Sequence, residues 1–115
     1  MNRKGHIAIH EGDDLIRKLL ESWLGEAGYS VHPVDGESPR LVIADIPSPQ
    51  VAPSRIEALQ GVYAAPVLVL SGRFRRGLAG SAEAARRLGV RRVLPKPFTR
   101  KELLSAVDEM LEGAE

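Results

Sequence analysis

The chain has 115 residues, 43% hydrophobic and 27% charged, with a formal net charge of +1. That is the size and balance of one globular domain, residues 1–115, and not of a general polyanion binder. Cysteine is absent, which excludes a disulfide framework and thiol chemistry. Together with the lack of a secretory signal or membrane-length apolar run, this gives the expectation of a cytoplasmic protein with no membrane partner.

In chain order, the first apolar run predicts a strand over residues 7–10, Ile-Ala-Ile-His. A helix follows, capped by Asp13 or Asp14. Its stripe is Leu15, Ile16, Leu19, Leu20, Trp23 and Leu24, at helical spacing. Trp23 reads as core, and Gly28 as a left-handed stop. Residues 29–34 form a weaker second strand, and Pro33 within it suits a sheet edge. The third strand covers 41–45. A proline-rich loop leads to Pro53, which opens a short helix through about Gln60. The fourth strand covers 67–70. Ser81 caps a helix to Leu88, and the fifth strand covers 90–94. Thr99 and Glu102 make a capping box for a last helix with the stripe Leu103, Leu104, Val107 and Leu111.

Only residues 35–40 join the second and third strands. A parallel crossover normally takes a dozen or more residues, usually as a helix. Six extended residues reach about 20 Å at ~3.3–3.6 Å each. The helix between these strands is therefore expected to be missing or reduced to one turn. The sheet edge would then be poorly covered, and a homodimer is one way to cover it.

Between Arg73 and Arg92 there are seven arginines and one acid, Glu83. This reads first as a solvated helix with its flanking loops, and second as a docking face for an acidic partner. Nucleic acid is not the expected partner, since Phe74 is the segment's one aromatic residue and no binding motif is present. His6, His10 and His32 have no metal-ligand spacing. His10 lies beside Glu11, whose charge it could influence, although a satisfied strand-end side chain is the plainer reading.

The near-continuous apolar runs suit parallel strands covered on both faces. They end at Glu11, Asp45, Ser71 and Lys96. In an open α/β sheet the chemistry lies beyond the carboxyl ends of the strands, so these four residues should share one crevice. No phosphate-binding glycine loop and no hydrolase triad is readable. The first turn, Glu11-Gly12-Asp13-Asp14, repels phosphate and suits a cation. A small-molecule enzyme on this fold would need a nucleophile or cofactor loop that the sequence does not present.

Leu-Val-Ile-Ala-Asp at 41–45, Val-Leu-Val-Leu-Ser at 67–71 and Leu-Pro-Lys-Pro-Phe at 94–98, set in a β-α alternation, resemble the receiver domain of bacterial two-component response regulators. The resemblance runs from about Ile7 to Leu111. It implies an α/β, flavodoxin-like fold with a five-stranded parallel sheet in the order 2-1-3-4-5. It further implies phosphoryl transfer to Asp45 from a histidine kinase or phosphotransfer protein. Lys96 matches the family's lysine and Ser71 its hydroxyl residue. The Lys96-Pro97 bond resembles one the family holds in cis, which would aim Lys96 inward. Mg²⁺ is the implied cofactor, held by Glu11, Asp45 and the Pro47 carbonyl. Asp13 is a candidate to stand in for the family's second acid, whose place Gly12 takes; a helix cap is its other reading.

The chain departs from the family at Gly12, in the segment Pro47-Ser48-Pro49-Gln50, at the shortened 35–40 join, and at Val93. Val93 holds the switch position, where the family commonly has Tyr or Phe, and a valine cannot make the same swing. The family's output face would correspond here to Val93, Arg86, Arg87, Arg91, Arg92, Lys101 and Leu104, and an unknown downstream protein would dock there. The expectation is a stand-alone phosphoaccepting receiver. The alternative is a degenerate receiver that binds partners without phosphate.

Overall fold

The computed structural model describes residues 5–31, 39–46, 52–63, 65–71, 86, 90 and 92–112. Four strands, β1 (Ile7–His10), β2 (Leu41–Asp45), β3 (Val67–Ser71) and β4 (Arg92–Pro95), form a parallel sheet in the order β1-β2-β3-β4. Among the described residues, three helices with both ends defined accompany them: α1 (Asp14–Glu26), α2 (Ala52–Tyr63) and α3 (Arg100–Glu112). These strands are the first, third, fourth and fifth expected from the sequence.

The start of the expected second strand lies on the far side of β1. The Ile7 N–H donates to the Ser30 carbonyl at 2.8 Å, and the Ser30 N–H donates to the Gly5 carbonyl at 2.9 Å. The intervening His6 carbonyl accepts instead from the Arg40 N–H, at 2.8 Å. Successive peptide groups of a strand point to opposite edges. Ser30 and β2 therefore flank β1 on its two sides, the arrangement that the order 2-1-3-4-5 requires. Residues 32–38, which hold most of the 35–40 join, and the 81–88 helix apart from Arg86 lie outside the described residues.

Alternation along the strands sorts the core into two layers. Leu41, Ile43, Leu68, Leu70 and Leu94 face Leu20 and Leu24 of α1 and Leu103, Ala106, Val107 and Met110 of α3. Val42, Ala44, Val67, Val69 and Val93 face Ile56 and Leu59 of α2. Residues 41–44 and 67–71 are all buried because helices cover both faces. Each such aliphatic side chain contributes about 1.5–3 kcal/mol on burial. An exposed ion pair such as Arg17–Asp14 contributes about 0–1 kcal/mol. The central strands, not the surface charges, hold the fold.

Asp13 is the cap of α1; its Oδ1 accepts from the Leu15 N–H at 2.9 Å and the Ile16 N–H at 3.1 Å. At the other end Gly28 adopts φ 101°. The Tyr29 N–H returns to the Leu24 carbonyl at 3.0 Å and the Gly28 N–H to the Gly25 carbonyl at 3.1 Å, which is a Schellman closure. The capping box of α3 forms as expected. The Thr99 N–H donates to Glu102 Oε1 at 2.8 Å, and the Glu102 N–H to Thr99 Oγ1 at 3.1 Å.

Three expectations need correction. In α1 the buried stripe is narrower than its apolar sequence: Leu15 is 70% exposed and Leu19 41% exposed, on the flank away from the sheet. Trp23 is only partly buried, at the margin of the core, with its ring edge-on to Phe98 at a centroid distance of 6.4 Å. Helix α2 continues past Gln60 to Tyr63. Gly61 inside it costs about 1 kcal/mol relative to alanine without ending the helix.

Tyr29 ties the edge of the sheet to α3 by donating its hydroxyl to Asp108 Oδ1 at 3.1 Å. Burial, and then the neighbouring Asp108, push its phenol up to about 12. Two tests follow from these contacts. Gly28→Ala puts a Cβ where φ is positive and should cost about 1–2 kcal/mol, read as a lowered urea midpoint with an unchanged slope. Tyr29 keeps its proton longer in the folded state, so its contribution to stability is complete below pH 10 and lost as the pH rises toward about 12. The absorbance difference between wild type and Tyr29→Phe should show that late phenolate, and only wild type should carry this part of the alkaline loss of stability.

Candidate functional site

The carboxyl ends of β1, β2, β3 and β4 deliver Glu11, Asp45, Ser71 and Lys96 in turn. Lys96 Nζ joins the two acids. It donates to Glu11 Oε2 at 2.9 Å and lies 2.8 Å from Asp45 Oδ1. Asp45 and Glu11 come from strands two and three places from β4 in the sheet, so the contacts close over the strand ends through the lysine's flexible four-carbon stem and the two acid side chains together.

The two carboxylates differ in setting. The Glu11 side chain is 2% exposed, and its Oε1 also accepts the Asp13 N–H at 3.1 Å. The Asp45 side chain is 25% exposed, so one carboxylate is sealed and the other faces the crevice. Burial alone pulls the Lys96 ammonium down. Its hydrogen bonds to Asp45 and Glu11 and their two negative charges outweigh that and hold it above the usual lysine range. With Lys96 protonated and both acids ionised, the trio keeps one net negative charge.

Ser71 is fully buried at the end of β3, and its carbonyl accepts the Lys96 N–H at 2.9 Å. The Lys96-Pro97 bond is cis. Gly12 lies exposed between Glu11 and Asp13, and a Cβ built on it would meet no atom within 4 Å. Asp13 is exposed, and its Oδ1 caps the helix terminus. Among the described residues no group of three or more His, Cys, Asp or Glu side chains is arranged to hold a metal ion. Pro47 lies outside the described residues. Glu11 and Asp45 still form an all-oxygen pair with unused lone pairs. That suits a hard cation of the Mg²⁺ class, which needs only one or two carboxylates and keeps several waters.

His10 does not engage Glu11. Its Nε2 lies 2.8 Å from the Tyr63 hydroxyl, and the two rings pack edge-on with centroids 5.3 Å apart. It is the satisfied strand-end side chain. Val93, at the switch position read from the sequence, is a core residue at 1% exposure, paired in register with Val69. Lys101 and Arg86 are exposed, and Leu104 is half-buried against the α1/α3 layer. Arg92 pairs with Glu109 of α3. Arg87 and Arg91 lie outside the described residues.

Sequence reasoning missed the direct Glu11–Lys96 link, the Tyr63 partner of His10 and the Tyr29–Asp108 bond. Each joins residues at least 53 positions apart. Only the shared crevice gave any signal, and only for the first.

No helix among the described residues is long and apolar enough to cross a membrane. No protein-family model matches the chain, and no curated protein sequence does. Solved structures do match. A CheY-like response regulator from Mesorhizobium loti aligns over 95% of this chain and 99% of its own, with 23% identity and a TM-score of 0.68. HP1043, an orphan response regulator of H. pylori, aligns over 96% and 99%, with 16% identity and a TM-score of 0.71. The receiver domain of the Francisella response regulator 1452 aligns over 97% and 100%, with 14% identity and a TM-score of 0.71. The chain has the fold of a response-regulator receiver domain, a flavodoxin-like α/β sandwich.

Proposed function

We propose that the protein accepts a phosphoryl group on Asp45 from a histidine kinase or phosphotransfer protein and passes the signal on by protein contacts. The observation that carries this reading is Asp45 at the end of a central strand, partly exposed, with Lys96 Nζ 2.8 Å from its Oδ1. An Asp45 oxygen attacks the phosphorus of a phosphohistidine; the O–P bond forms as the P–N bond breaks and the imidazole leaves. Such a transfer depends on positioning and charge neutralisation more than on covalent help. Lys96 supplies a fixed positive charge beside the phosphoryl oxygens. The Ser71 hydroxyl is a donor at the end of the adjacent strand. Glu11, Asp45 and, by resemblance, the Pro47 carbonyl would hold Mg²⁺, which offsets phosphoryl charge when bound.

One set of observations supports a second reading, a receiver-shaped interaction module that needs no phosphate. Lys96 already bridges the two acids, Gly12 carries no carboxylate and Val93 is locked in the core. Output would then rest on a constant surface that includes Arg86, Lys101 and Leu104.

Intact-mass analysis after incubation with acetyl phosphate separates the two. The first reading expects a phosphate-sized gain that requires both Mg²⁺ and Asp45 and is lost in Asp45→Ala. Gly12→Asp, which has open space for its side chain, should lower the Mg²⁺ concentration needed for half-maximal labelling. No labelling of the folded wild type at millimolar Mg²⁺ would leave the phosphate-independent module.

A further inference from the structure

Among the described residues, the large hydrophobic side chains that stand exposed are Leu15, Leu19 and Val62. Two of them lie on α1, four residues apart, and Trp23 continues the same spacing. Residues four apart share a helix face. Leu15, Leu19 and Trp23 thus form one stripe about 12 Å long, at a rise of 1.5 Å per residue. Phe98 extends it at the Trp23 end, ring edge to ring face. A contiguous apolar stripe at the surface marks a contact site, where scattered exposed residues do not. The charges of α1 indicate what covers it. Asp14 pairs with Arg17, and Glu26 with Arg100. The other two charged side chains of the helix, Lys18 and Glu21, have no ion-pair partner among the described residues. They are opposite in sign and lie on one flank of the stripe, the flank away from Trp23.

We infer that this stripe is an interface between two copies of the chain, with α1 packed antiparallel on α1 of the second copy about a two-fold axis near Leu19. The stripe is self-complementary under that operation. Leu19 is its midpoint, so Leu19 meets Leu19 of the second copy, and Leu15 meets Trp23 of the second copy. The same axis brings each flank onto the matching flank of the other helix. Lys18 and Glu21 are centred half a residue from Leu19. Each Lys18 therefore falls within about 1.5 Å, along the helix axis, of the level of Glu21 in the second copy. That pairing occurs twice. A parallel arrangement in register would instead set Lys18 against Lys18 and Glu21 against Glu21. The apolar pattern and the charge pattern thus share one centre, a coincidence that the fold of a single copy does not require. One helix pair makes a small interface, so the association is weak, with a dissociation constant between about 1 µM and about 1 mM. It places the contact on α1 rather than at the sheet edge, and it stands apart from the role of Asp45.

The test is sedimentation equilibrium of the full chain from about 10 µM to about 1 mM at low ionic strength, where exposed charge pairs are least screened. Wild type should move from the monomer mass toward the dimer mass over that range. Leu19→Glu should weaken association by about tenfold or more, because it sets two carboxylates together on the axis. Val62→Glu makes the same change at the exposed site on α2 and should leave association as in wild type. Lys18→Glu should weaken it by about fivefold, since each new acid faces Glu21 of the second copy. Adding Glu21→Lys to that variant should restore the wild-type constant to within about twofold. Leu15→Ser serves if Leu19→Glu does not fold, with the same direction of change. A monomer at every concentration would overturn the inference. So would a dimer that is indifferent to the α1 variants, or one that the double charge reversal fails to restore. Failure of Asp45 to label with acetyl phosphate would count only against the phosphoacceptor reading.

Discussion

The ammonium of Lys96 between Glu11 and Asp45 is the interaction on which the rest of the site depends. It needs three strand ends at one level, because its partners come from β1 and β2 while the lysine comes from β4. The parallel register supplies that level, with His10 beside Ala44, Asp45 beside Leu70 and Ser71 beside Pro95. The register is fixed in turn by burial on both faces. A one-residue slip would interchange the two layers, sending Ile43 and Leu70 to the α2 side and Val42 and Val69 to the α1/α3 side.

That arrangement reconciles a familiar fold with an altered site. Elements that build the frame are intact: the cap at Asp13, the closure at Gly28, the capping box at Thr99 and Glu102, and two helical layers around the central strands. The differences from the receiver pattern that the sequence resembles lie at Gly12 and Val93. Gly12 carries no carboxylate, and Asp13 serves the backbone. Val93 fills the α2 layer as a small core side chain, so its place in the sheet is set by packing with Val69. What remains is a sealed carboxylate, an accessible one and a lysine that serves both.

Much of the frame was legible in the sequence because it follows from local patterns. The apolar runs at 41–45 and 67–70 need only a parallel sheet with two covered faces to make sense, and both are strands. The Thr99/Glu102 spacing and the Gly28 stop carry their own geometry. Helical periodicity overstated the buried stripe of α1. Leu15 and Leu19 fit the spacing, but the sheet and α3 occupy only the flank bearing Leu20 and Leu24. At the site the sequence could gather Glu11, Asp45, Ser71 and Lys96, because strand ends share a level. It could not assign Lys96 to both acids, or Asp13 to the cap over the crevice. Those outcomes depend on side-chain reach and on competition for donors, and neither leaves a trace in spacing. Nor could it find Tyr63 for His10, which needed α2 to run beyond Gly61.

The central claim is that Lys96 neutralises the buried Glu11. A double-mutant cycle of Lys96→Met and Glu11→Gln, measured by urea unfolding, tests it most directly. Removing the lysine alone strands a buried charge and should cost about 3–5 kcal/mol. Removing both should cost clearly less than the sum of the single changes, with a coupling of about 1–3 kcal/mol. Additive costs, within about 0.5 kcal/mol, would show that the two side chains do not depend on each other and would contradict the account.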